Sequence, residues 1–230
     1  GQVYLSKYDL NATNFDVLNN QRLIQENEVT DGSVKFDMNY KATQTIKING
    51  GYQFSEIGIS NLEDVNNPVF RSYIKEVVRS HAIYTESSIL SNNALTNLKI
   101  GARINYHEKF SMFLFEPRLN FSQRFLNYFR LEIQGEIKSQ TTSQIIDLQN
   151  DFLGIEKRRW ILSNNESVPV IKSKQISTGI HFNKNQLLIG AEVYLKDVEG
   201  ITSRSQGFQN QYQFQQNNYY LIFFLQDINH

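Results

Sequence analysis

The chain has 230 residues, with 23 basic side chains against 23 acidic ones, three prolines and no cysteine. Zero net charge argues against general nucleic-acid binding, and the missing cysteines exclude disulfide and thiolate chemistry. Mean hydropathy is −0.44, and no apolar run approaches the length of about 18 that a helical span requires. A membrane β-strand needs apolar residues only at every second position, so these numbers leave a barrel open. Aromatics make up 13% of residues, which suits the girdles of such a barrel and equally a carbohydrate-binding or sandwich fold.

In chain order, Gln2 to Tyr8 reads as a strand, and Asp9 to Asp31, polar and without sustained periodicity, as a long loop. Val34, Phe36, Met38 and Tyr40 then share one parity, as do Ile46, Ile48, Tyr52 and Phe54. That predicts two strands split by a turn near 41–44, with Gly50-Gly51 as a bulge or bend. Ile57 to Pro68 reads as a polar loop closed by Asn-Pro. Phe70 to Glu86 has muddled parity, with Val77 beside Val78, and is consistent with a strand or a short helix. Leu98, Ile100, Ala102, Ile104 and Tyr106 alternate cleanly again.

The most informative stretch is Phe113 to Lys138. Phe113, Phe115, Leu119 and Phe121 alternate with Glu116, Arg118, Asn120, Ser122 and Arg124. After Phe125-Leu126-Asn127 the pattern restarts, with Phe129, Leu131, Ile133 and Ile137 against Arg130, Glu132, Gln134, Glu136 and Lys138. Strict period-two alternation means β-strand, and two such runs joined by a few residues make a hairpin. One face is apolar and aromatic, and the other carries both signs of charge. Each run also reaches the about 9–11 residues needed to cross a bilayer at a tilt. Pro117 sits in the middle of one run and predicts a bulge, because a proline removes a ladder bond.

Ser139 to Val170 is a long interruption. Ile176, Ile180 and Phe182 face Leu187, Ile189, Ala191, Val193 and Leu195 across the short turn 183–186. Asp197 to Tyr212 is another long polar stretch, and Tyr219 to Leu225 a candidate last strand. Short connections (41–44, 88–94, 125–127, 183–186) alternate with longer ones (9–31, 58–69, 139–171, 197–212), with 107–111 the one short exception. An outer-membrane barrel, with short periplasmic turns and longer extracellular loops, explains this better than a soluble sandwich. The expected fold is therefore all-β: an antiparallel transmembrane β-barrel wall of about nine or ten long strands.

No nucleophile, base and orienting group recur together, so no enzymatic activity, cofactor or metal site is expected. The histidines, His81, His107, His181 and His230, lack ligand spacing. Lys157, Arg158, Arg159 and Trp160 form the strongest binding candidate, since three cations beside an indole can grip an anionic or planar ligand. The alternatives are lipopolysaccharide phosphates as partners of the cations, or a Trp160 that packs the loop. Gln206, Phe208, Gln209 and Asn210 offer amides and an aromatic platform for a sugar or chelate, and loop packing explains them equally. Arg103, Glu116, Arg118, Arg124, Arg130, Glu132, Glu136, Lys138 and Glu192 are expected to line a wet lumen. There, opposite charges at cross-strand positions would hold register.

Three stretches also carry a resemblance: QTTSQIIDLQNDFLGIEKRRW (140–160), SKQISTGIHF (173–182) and EVYLKDVEGITSRSQGFQNQYQF (192–214). They resemble the C-terminal barrel of TonB-dependent outer-membrane receptors of Bacteroidetes-type bacteria. SRSQGFQN (203–210) is the most specific element. Gly51 to Pro68 and Leu98 to Phe121 resemble the same family. The resemblance implies an arc of a plugged barrel of about 22 strands in the bacterial outer membrane, importing a large ligand such as a metal chelate or glycan. It also implies outer-membrane lipid, an N-terminal plug, the TonB complex and a surface lipoprotein as partners, and no nucleic acid. Nothing here matches the plug or its TonB-binding box, so we read the chain as part of something longer. Residues 1–214 would be the partial barrel. Residues 215–230 depart from the family pattern and are either a last strand or a non-native end.

Overall fold

The computed structural model describes residues 1–148, 156–164, 168–185, 187–203 and 212–227, with 146–148, 156–159, 202–203 and 212–227 described by backbone path alone. Its strands are β1 (Gln2–Asp16), β2 (Gln21–Lys41), β3 (Ile46–Asn66), β4 (Val69–Leu90), β5 (Thr96–His107), β6 (Met112–Phe125), β7 (Phe129–Gln140), β8 (Thr142–Leu148), β9 (Glu156–Leu162), β10 (Ile171–Lys184), β11 (Leu187–Ser203) and β12 (Tyr212–Asp227). Ten of them form one sheet in the order β1 to β7, then β10, β11 and β12, each antiparallel to its neighbours. β8 and β9 pair only with each other, as a hairpin inserted between β7 and β10.

The register sorts the side chains into two faces. Phe36, Tyr52, Ile83, Ile104 and Phe115 are successive cross-strand partners on β2 to β6. Their rings and branches are open, with Phe36 60%, Ile83 66% and Phe115 61% exposed. The row one residue away runs Asp37, Gly51, Tyr84, Arg103, Glu116. A sheet this greasy on its outer face and this polar on the other is built for lipid on one side and a wet interior on the other.

Four expected loops turn out to hold strand: 9–31 and 57–68 lie, outside their turns, in β1 to β3, 139–170 holds β8 and β9, and 197–203 continues β11. β2 has 21 residues and β4 has 22, or roughly 70 Å at about 3.3 Å per residue. That far exceeds a hydrocarbon core of about 30 Å even after tilting, so the upper parts of β1 to β4 stand in water. There the outward face turns polar: Lys7 bridges Glu28 at 2.9 Å and Arg79 bridges Glu56 at 2.7 Å. With the outward face polar and the inward face apolar only where β8–β9 packs on it, the membrane alternation is lost, which is why 9–31 and 57–68 read as loops. The tall hairpins close in tight turns at 17–20 and at Asn67-Pro68. An unbroken row of rings marks the upper edge of the apolar band, running from Phe54 to His81 (5.2 Å), His81 to Tyr106 (6.4 Å) and Tyr106 to Phe113 (4.7 Å).

The turn at 17–20 is held by Asp16, whose carboxylate accepts from Asn19 Nδ2 at 2.7 Å and from the amides of Leu18 and Asn19. These bonds, the Asn19 side chain's first, hold its pKa below the usual carboxylate range. A depressed folded pKa stabilises above the unfolded value and is lost as pH falls through the folded one. Amide exchange at 17–20 is therefore expected to accelerate once Asp16 protonates. Asp16→Ala should show the fast rate already at neutral pH and no acid step.

One open reading is settled and two expectations are corrected. Phe70–Glu86 is strand, within β4, and its parity is muddled because Val77 points outward while Val78, 1% exposed, is buried on the inner face. Gly50-Gly51 makes no bulge, since the ladders run through it without a shift. Pro117 makes none either, because it pairs in register with Ala102. Instead, the β6–β7 ladder ends beside it at Arg118–Glu136, although both strands continue upward. A residue without an N–H marks where a ladder stops. The bulge lies in β11 between Val198 and Ile201, at Gly200 (φ 85°).

Candidate functional site

Period-two alternation aims a continuous polar strip inward from β2 to β7. Tyr84 Oη donates to Asp37, Lys35 Nζ sits 3.0 Å from the same carboxylate, and Lys35 and Arg103 lie 5.2 Å and 5.8 Å from the Tyr84 ring centre. Arg103 donates to Gln53 Oε1 at 3.0 Å and to Asn105 Oδ1 at 2.7 Å. Glu116, buried, accepts from the Ser139 amide at 2.9 Å and from its hydroxyl.

Further along, Arg118 and Glu136 are register partners and border a recess of about 230 Å³ shared with Glu86, Lys99 and Gln175. Arg130 Nε lies 3.0 Å from Glu132, Lys138 Nζ 2.8 Å from Glu136, and His181 Nε2 3.4 Å from Glu132. Glu192 stands on β11 opposite Gly179. Opposite charges were expected across strands, and the register does set Arg103 opposite Glu116 and Arg118 opposite Glu136, while the close pairs Arg130–Glu132 and Glu136–Lys138 run along one strand. Arg124 and Arg130 face each other as like charges. Arg124→Glu is therefore expected to stabilise the fold by about 0.2–1 kcal/mol, read as a higher urea midpoint.

At the upper end the hairpin β8–β9 folds back over β2, β3 and β4. Trp160 and Leu162 pack with Val29, Ile57, Ile59, Val78 and Phe110. Asn27, 5% exposed, clasps the Trp160 backbone: Oδ1 accepts its N–H at 3.2 Å, while Nδ2 approaches its carbonyl at 3.5 Å and donates to Asn61 Oδ1 at 2.8 Å. Asn61 donates to the same Trp160 carbonyl at 3.4 Å. Trp160 thus packs against the wall, as the alternative reading of it expects. Lys157, Arg158 and Arg159 lie on β9, where only the backbone path is described. Gln206, Phe208, Gln209 and Asn210 lie outside the described residues.

Asn27, Asn61 and Tyr84 were missed. A signal for the first two existed: Leu23 and Val29 on one parity of 22–29, against Glu26 and Glu28 on the other, is the membrane pattern inverted. There the inner face is apolar and the outer one charged.

Neither a protein-family model nor a curated protein matches the chain. Solved structures do. The siderophore receptor PirA from Acinetobacter baumannii is similar over 93% of this chain and 39% of its own, at 13% identity and a TM-score of 0.52. The copper transporter OprC is similar over 87% and 35%, at 10% identity and 0.63. The ferric enterobactin receptor PfeA from Pseudomonas aeruginosa is similar over 87% and 33%, at 13% identity and 0.56. The fold is the barrel wall of TonB-dependent outer-membrane receptors. At these identities the likeness is one of fold, and the chain spans about two fifths or less of the receptors it resembles. The ten strands of this receptor-type wall form an open arc with edges at β1 and β12, and β12 carries the ladder past residue 214 to Asp227.

Proposed function

We propose that this chain is wall and mouth of an energised outer-membrane importer that takes up a large ligand, such as a metal chelate or glycan, through a plugged barrel. The observation that carries this reading is the inward strip from Asp37 through Tyr84 and Arg103 to Glu116, whose polar groups are tied to one another. Wide barrels hold either an aqueous channel or a plug, and such a fixed polar lining suits a plug that must be held and then moved. The N-terminal plug, the TonB complex and a surface lipoprotein are the partners this reading requires. The wall also needs further strands, because a bilayer cannot satisfy two open sheet edges. No covalent chemistry is assigned to the chain.

The test is uptake by cells carrying the whole gene. Ligand accumulation should collapse when the proton-motive force is dissipated or TonB is deleted. Accumulation that persists at the same rate would instead identify a passive porin-like or scaffolding barrel.

A further inference from the structure

The outward face carries a second feature that import does not use. Leu119, Gly135 and Ile176 are direct cross-strand partners on β6, β7 and β10, so a glycine sits between two branched side chains in the lipid-facing band. The dent it leaves is a groove of about 700 Å³, walled also by Ile100, Pro117, Ile137 and Leu195. That volume falls in the range of about 300–1,000 Å³ typical of ligand pockets. Above Pro117, β6 and β7 part, and a second recess of about 240 Å³ opens between Phe113 and Phe115 on one side and Ile137 and Ser139 on the other. The two recesses share Ile137, and Lys172 borders the upper one.

This seam needs an occupant with two kinds of chemistry. Its floor and walls are hydrocarbon. Its margins are strand backbones, 112–117 and 137–140, that no ladder bond joins to each other. Only the Ser139 amide is met across the gap, by the Glu116 carboxylate. Backbone groups facing lipid without partners cost several kcal/mol each, so acceptor oxygens at the seam would be strongly favoured.

Charge selects among lipids. Lys174 is tied to Glu199 at 2.8 Å, and Asp197 at the groove's edge also has a partner. Lys172 stands opposite Glu199 in the β10–β11 register and within its electrostatic reach, but Glu199 is bridged by Lys174. Lys172 makes no ion pair among the described residues, so its ammonium is open to an anion at the upper recess. The tight turns at 42–45, 91–95 and 126–128 close the opposite end of the sheet, which places Lys172 at the extracellular leaflet.

We propose that the parted β6–β7 seam is a lipid site. An acyl chain of a phosphorylated outer-leaflet glycolipid, of the lipopolysaccharide kind, lies over Gly135, and a phosphate of that lipid rests against Lys172. The proposal depends on the membrane setting of the wall and not on what the barrel imports.

The test uses the whole protein extracted from its own outer membrane in mild detergent, with native mass spectrometry counting the lipids retained after delipidation. Wild type is expected to keep glycolipid. A Cβ at Gly135 meets nothing closer than the Gln175 carbonyl at 3.9 Å, so Gly135→Phe fills the groove and should cut retention by about five-fold or more. Lys172→Glu, at an exposed position, should also lower it, with the urea midpoint measured alongside because the new carboxylate faces Glu199. Retention unchanged in Lys172→Glu, no glycolipid on wild type, or a glycerophospholipid held in its place would each overturn the assignment. Ligand uptake, measured alongside, is expected to stay at the wild-type level in both variants, so failure here is separable from failure of the import reading.

Discussion

Trp160→Ala is expected to free the β8–β9 hairpin from the wall while the ten-stranded sheet stays folded. A two-stranded hairpin is marginal on its own in water, so this one depends on what it packs against. Its anchors to the wall among the described residues are few: the Trp160 and Leu162 side chains, and the Asn27 and Asn61 amides on the Trp160 backbone. Truncating a buried tryptophan costs about 3–5 kcal/mol. Trp160 is only half-buried, so about 2 kcal/mol is the reasonable share. Local opening should then rise by about 30-fold, by the rule that 1.4 kcal/mol is tenfold.

Hydrogen exchange reads this directly. Peptides covering 142–148 and 156–162 should speed up while those from β5 and β6 keep their protection. Asn27→Ala attacks the same clasp from the wall side by removing the acceptor of the Trp160 N–H. Leaving a buried donor unmet costs about 1–3 kcal/mol. The double variant should cost less than the sum, because both changes break one docked unit. Unchanged exchange in both single variants would show that the hairpin is not held by this clasp.

How legible the fold was depended on where each strand stood relative to the bilayer. Inside it, one face must be apolar and the other must not. Phe113 to Lys138 therefore declared its strands, its hairpin turn and both faces from alternation alone. Above the membrane that constraint is lost. Outside their turns, Asp9 to Asp31 and Ile57 to Asn66 pair as regularly as any other stretch, yet the outward side is wet and the inward side is apolar only where the hairpin packs, so the membrane alternation is absent. Phe70–Glu86 stayed between strand and short helix for a different reason. Val78 is apolar because a distant hairpin covers it, and no local pattern reports a contact with Leu162, 84 positions later in the chain. Pro117 was rightly singled out but wrongly interpreted, since a proline can end a ladder on one side as well as bulge it. Parity alone sets Arg103, Glu116, Arg118 and Glu136 on one face, and the register brings Arg103 opposite Glu116 and Arg118 opposite Glu136. The pairs Arg130–Glu132 and Glu136–Lys138 were not legible, because side-chain reach along a strand competes with reach across it.

Gly51→Ala is expected to be among the most damaging single-methyl additions in this chain. Gly51 lies on the inner face opposite Asp37 and Tyr84, and an added Cβ would fall on the Phe36 carbonyl and within 2.7 Å of Tyr84 Cζ. The Tyr84 ring lies over this position, held by its hydrogen bond to Asp37 with Lys35 and Arg103 beside it. The phenol end can swing aside; the Phe36 carbonyl is backbone and cannot move without disturbing the β2–β3 ladder. Overpacking costs about 1–3 kcal/mol, and the upper end applies where a main chain must shift. The expected result is a loss of about 3 kcal/mol in the urea-induced unfolding of the detergent-refolded whole protein. Gly135→Ala, where the same methyl meets open space, should change that midpoint little. Gly51→Ala combined with Tyr84→Ala separates the two clashes. Removing the ring relieves one of them but also deletes the bond to Asp37, so recovery should be partial at most. Full recovery would mean that the glycine is there only for the ring, and a wild-type midpoint for Gly51→Ala alone would mean that it is there for neither.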